Sequence, residues 1–212
     1  MTTAEHIHKI VLENLEGFRV MPGELSTGGT RSLRNFLGEL VWRHFFEDVR
    51  LEEPQVATYV TALLADFART ENLYRIRNAL GKRLEDVAAM LAESNPLLDA
   101  ASFDREREVR KHVGDYTLFM TGLFPESVAR ARRRQQSRVD AFVNFVQAGK
   151  ESYAIVSSFD QFEYREEAPV FRRLSENFEL CVVGLNLVKQ ELEEFQRESY
   201  QRLKHALDGS SD

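Results

Sequence analysis

The chain is poor in the residues that staple or punctuate a fold. One cysteine, Cys181, stands in 212 residues, so no disulfide can close within the chain and no cysteine zinc site can be built. Five prolines and eleven glycines are few for this length, which argues against the many tight turns of a sandwich or barrel. No apolar run approaches the ~20 residues of a membrane span. The opening MTTAEHIHKIVLENLEG lacks the cationic leader, apolar centre and cleavage site of a secretory signal. Strand-like alternation persists nowhere, and there is neither an internal repeat nor a low-complexity stretch. Together these absences predict a soluble, cytoplasmic protein with no membrane association.

Positive charge is also in short supply. From Glu151 onward acidic residues outnumber basic ones by 13 to 7, which accounts for the whole net charge of −6. An acidic chain is a poor general binder of nucleic acid or of an anionic membrane, because both need clustered cations.

What is present is helical. Fifteen phenylalanines in a chain that is 43% hydrophobic supply a sizeable core. The length suits one domain, 1–212. The predicted fold is all-α, a bundle of about seven mostly antiparallel helices. Thr2 and Glu5 have the spacing of a capping box for a first helix. The loop 19–29 contains Pro22, Gly23, Gly28 and Gly29. A second helix starts at Thr30, with Leu33, Leu37, Leu40, Val41 and Phe45 on its stripe. Pro54 opens a third. Leu73, Ile76, Leu80, Leu84, Val87 and Leu91 step by three and four, which predicts a fourth helix over 72–93 with Gly81 inside it.

The fifth predicted helix, 103–123, is the one the others are organised around. Ser102 or Asp104 can cap it. Its first half is almost all charged and its second almost all apolar, so it should pass from the surface into the core. A sixth helix follows the basic run at 130–138 and continues to about Phe159, with Gly149 the residue that could interrupt it. In the last predicted helix, 168–207, Phe171, Leu174, Phe178, Cys181, Leu185, Val188, Leu192 and Phe195 keep a heptad seam. Unbroken, it would be about 60 Å long and would project or meet a partner.

Candidate sites come from four places. At the junction where the fifth helix enters the core, His112, Asp115 and Tyr116, with Phe119 and Met120 below, could line a small-ligand pocket or transfer a proton. The blander reading, a hydrogen-bonded junction, is preferred, because no nucleophile is paired with His112. Gly28, Gly29 and Arg31 could hold an anion at a helix start, although a plain connector is preferred and no Walker A ending is present. Arg130, Arg132, Arg133, Arg134 and Arg138 could touch nucleic acid or an acidic partner, but five arginines in nine residues cannot share one helix face and no aromatics interleave them. The heptad residues Phe178, Leu185, Val188, Leu192 and Phe195 could form an interface. Cys181 within that seam reads as a small hydrophobe.

For metals, only Glu5 and His8 make a Glu-x-x-His pair, and a carboxylate-bridged site needs two. No metal, cofactor or catalytic residue is therefore assigned. The expected function is a non-enzymatic helical interaction protein, a regulator or scaffold that self-associates as a dimer through its C-terminal helix. A small-ligand-binding domain or enzyme at the His112 junction is the alternative, and nucleic-acid binding comes third.

Overall fold

Helix boundaries follow local capping chemistry. The computed structural model describes residues 29–78, 80–84, 86–94, 102–131 and 138–208, and these form an all-α bundle. Helix α1, Gly29–Arg43, runs on through one π-helical turn, His44–Asp48. Helix α2, Pro54–Phe67, begins with its proline in the first turn, where a missing N–H costs nothing. After the short α3, Thr70–Leu73, the chain reaches α4, Val87–Glu93. The central α5 spans Phe103–Leu123, with the Ser102 hydroxyl accepting from the Arg105 N–H at its start. Pro125–Ala131 forms α6 and Arg138–Ser158 forms α7. A 3₁₀ turn, Phe162–Tyr164, leads to α8, Ala168–Glu176, and α9, Phe178–Asp208.

The wet and dry halves of α5 are as expected. Phe103, Asp104 and Glu108 are exposed, whereas every residue from His112 to Gly122 is buried. Helices α4, α7 and α9 pack around that half, and α7 in turn carries α6 and α8. Burying each of Val113, Leu118, Phe119 and Met120 is worth about 1.5–3 kcal/mol before ordering costs. Gly149 does not interrupt α7. A Cβ there would lie 2.4 Å from both Phe178 and Thr117, so the glycine lets three helices meet.

Two predicted helices are corrected. The 72–93 segment is helical only at its ends. Between them the Asn78 side chain accepts from the N–H groups of Leu80 and Lys82, Gly81 takes φ +76°, and Arg77 bridges to Arg83. An asparagine and a left-handed glycine therefore close a hairpin where the apolar period reads as helix. The second correction is at Asn177. Its backbone (φ −110°, ψ 21°) leaves the helix, and its side-chain amide donates to the Arg173 carbonyl, ending α8. The separate α9, 31 residues, is about 46 Å long.

The heptad seam itself faces inward. Phe178, Cys181, Leu185 and Val188 are fully buried in the chain's own core, and Leu192 and Phe195 pack partly buried against it. Of the five positions expected at an interface, Phe178, Leu185 and Val188 have no exposed surface to offer a second chain, whereas Leu192 and Phe195 are only partly buried.

Candidate functional site

The polar junction on α5 is built from five elements. Lys111, His112 and Asp115 come from α5 itself, Tyr59 from α2, Arg75 from the hairpin, Tyr153 from α7, and Phe171 from α8 closes one side. Asp115, only 2% exposed, is the hub. Its Oδ1 accepts from the Tyr59 hydroxyl at 2.6 Å and the Tyr153 hydroxyl at 2.9 Å. Its Oδ2 accepts from Lys111 Nζ at 3.2 Å and lies 3.8 Å from Arg75 Nη2. A buried carboxylate is tolerable only with such complete pairing.

Gly114 makes this possible. A Cβ there would stand 2.5 Å from Tyr153 Cε1, so only glycine lets that ring pass beneath α5 and turn its hydroxyl to Asp115. Phe171 meets both tyrosines edge-on or tilted, at 5.3 and 5.8 Å between centroids. The Lys111 ammonium lies 5.1 Å from the Tyr59 ring centroid, over its face. Burial, reinforced by the Asp115 charge, pushes both tyrosine hydroxyls well above their usual range, so they remain donors.

His112 is set differently. Burial first, then the Arg75 guanidinium, lowers it to about 4, and the ring is neutral at pH 7. Arg75 Nε donates to its Nδ1 at 3.1 Å. An arginine has no acceptor, so the single imidazole proton sits on Nε2. The Leu73 carbonyl favours that proton but does not reach hydrogen-bond geometry, leaving buried Nε2 without a partner.

The residues predicted at this junction are thus together, but as packing. Tyr116, Phe119 and Met120 are buried, with His112 and Phe119 against Phe67 at 5.8 and 5.3 Å and Tyr116 near Tyr74 at 6.3 Å. Glu108 turns away to Arg105. Thr121 donates to the Thr117 carbonyl of its own helix. The hydroxyls that reach Asp115 are instead Tyr59 and Tyr153, which read in the sequence as ordinary members of apolar stripes.

A second polar cluster joins α1 to α9. His44 Nδ1 lies 2.6 Å from Asp48 and its Nε2 2.8 Å from Glu191, which also takes Arg43 at 2.6 Å. The π-helical turn seats Phe45 beside Gly184 of α9. No sequence pattern linked His44 to Glu191, since they are 147 residues apart.

The other candidates are less engaged. Cys181 is buried and its thiol is pushed up to about 12 by desolvation, so it packs as a hydrophobe. Among the described residues no group of three His, Cys, Asp or Glu side chains could hold a metal, and no helix is long and apolar enough to cross a membrane. Glu5, His8, Gly28, Arg132, Arg133 and Arg134 lie outside the described residues, as do the side chains of Arg31, Arg130 and Arg138. Gly29 opens α1.

No family model matches the chain, and no curated protein or solved structure matches it either.

Proposed function

We propose that the chain is a non-enzymatic helical interaction protein that self-associates through the outer face of its last helix. The observation that carries this reading is that α9 is apolar on two sides. One side is the seam buried in the core. On the other, Leu180 is 41% and Val183 51% exposed, with half-buried Leu187 completing an i, i+3, i+7 stripe. A helix with apolar residues on two faces is matched to burial on both. Trp42, 40% exposed on α1, which packs on α9, adds an aromatic of the kind enriched at interfaces.

The chemistry-bearing groups support a binding role over catalysis. Asp115 is saturated by hydrogen bonds, His112 faces no nucleophile, and the only thiol is buried. A ligand pocket at the junction loses its support because its five residues are packed together. A cytoplasmic setting fits a lone cysteine used as a hydrophobe.

Size-exclusion chromatography with light scattering at tens of micromolar tests the proposal. A dimer is expected, converted to monomer by Leu180→Glu with Val183→Glu while the melting temperature of the monomeric fold is kept. A wild-type chain that is strictly monomeric over that range would overturn it.

A further inference from the structure

The hairpin between α3 and α4 presents a leucine where a buried residue was expected. Ile76 anchors it in the core, and its carbonyl accepts from the Leu84 N–H at 2.9 Å. Four residues beyond Ile76, Leu80 stands 92% exposed at the tip. Arg77, Lys82 and Arg83 surround it, all exposed. Arg77 Nη1 donates to the Gly81 carbonyl at 2.8 Å, which holds that guanidinium at the tip. Among the described residues none of these three cations is in an ion pair.

The acids of the adjoining elements are largely engaged elsewhere. Asp86 caps α4, Glu108 pairs with Arg105, and Asp104 accepts from Tyr164. Besides Asp104, Glu71 and Glu106 are the acids in no ion pair among the described residues of α3 and the start of α5, and Glu85 follows Arg83 by two positions in the sequence. The start of α5 lies against the hairpin, because Arg105 Nη2 donates to the Arg77 carbonyl at 2.8 Å. Two residues before Arg105, Phe103 is 74% exposed.

We infer that this hairpin tip is a contact site for the anionic surface of a lipid bilayer. Leu80 enters the boundary between headgroups and acyl chains, and Arg77, Lys82 and Arg83 meet lipid phosphates around it. Their aliphatic stems can lie along the apolar layer while the charged ends stay at headgroup level. A nucleic acid suits the tip less well. Its foremost side chain is aliphatic, with neither a donor for phosphate or base edges nor a ring on which a base could stack. With one leucine and three cations, binding is peripheral, reversible and salt-sensitive.

The test is co-sedimentation of the full chain with vesicles of phosphatidylcholine alone and of phosphatidylcholine with about one-third phosphatidylserine. Binding is expected only to the anionic vesicles, fading as salt approaches ~0.5 M. Lys82→Glu with Arg83→Glu should weaken it on the order of a hundredfold. Leu80→Ser should weaken it roughly tenfold with an unchanged salt dependence. All three positions are exposed, so thermal melts of the variants should match wild type. No binding to anionic vesicles at low salt, or binding that survives the double charge reversal, would overturn the inference. So would hairpin-dependent binding to duplex DNA with none to vesicles.

Discussion

His112 and His44 sit in the same bundle in opposite electrostatic company. His112 is fully buried, with Arg75 on one nitrogen and only the Leu73 carbonyl, short of hydrogen-bond geometry, toward the other. His44 is near the surface, with side-chain exposure of 13% and a carboxylate at each nitrogen. The first environment is closed to the solvent that could replace a lost partner, while the second is open to it. Position in the bundle, more than the number of contacts, therefore decides what each polar cluster contributes. The Asp115 cluster lies where screening is weak, so its groups depend on one another. The His44 cluster lies where solvent and salt moderate every charge.

The sharpest way to break this comparison is to remove the buried hub. Asp115→Ala strands two tyrosine hydroxyls, and leaves Lys111 and Arg75 without their anion. A loss of about 3–5 kcal/mol is expected in denaturant titrations. A cost under ~1 kcal/mol would mean that water replaces the carboxylate and that the site is not dry.

A somewhat smaller effect is expected from acid. His112 is held at about 4 in the fold against 6.5 in the free side chain. Between those values the unfolded chain binds the proton and the folded chain does not, so stability falls as pH drops through the window. This contributes about 3 kcal/mol by pH 4. Arg75 and Lys111 oppose the proton and Asp115 favours it. His112→Gln should flatten that part of the stability profile, measured by denaturant midpoints from pH 7 to 4. A profile identical to wild type would place the acid sensitivity elsewhere.

The smallest expected effect is at the rim. Glu191→Gln weakens the contacts to both Arg43 and His44, yet Arg43 is 46% exposed. A loss of about 1 kcal/mol or less is expected, shrinking further in ~1 M salt. Melting temperatures at two salt concentrations check this. A salt-independent cost equal to that of Asp115→Ala would erase the distinction between the two clusters.

The fold was legible where short-range pattern and capping agreed. The bounds of α5, its wet and dry halves, the Ser102 cap and the Pro54 start all follow from neighbours in sequence. The hairpin at 74–86 was not legible, because its apolar residues keep helical spacing while Asn78 and Gly81 impose a turn. The seam around Leu185 was visible as a seam, but spacing alone cannot tell whether such a stripe faces its own core or another chain. At the candidate site, His112 and Asp115 stood out because they interrupt an apolar run. Their partners did not. Tyr59 and Tyr153 lie 56 and 38 residues from Asp115, and each fits an apolar stripe of its own helix, so only the packing of helices reveals the hydroxyl at the far edge of the ring.

The notch at Gly114 also has a consequence for inheritance. Positions 114 and 153 cannot drift separately. Any side chain at 114 displaces the Tyr153 ring, and displacing that ring takes one of the two hydroxyls from Asp115. A lineage that acquired alanine at 114 would have to shrink residue 153 and then find Asp115 another donor or give up its charge. Three positions on two helices are therefore expected to be coupled, and a descendant with a smaller residue at 153 should have either a new donor facing Asp115 or a neutral residue at 115.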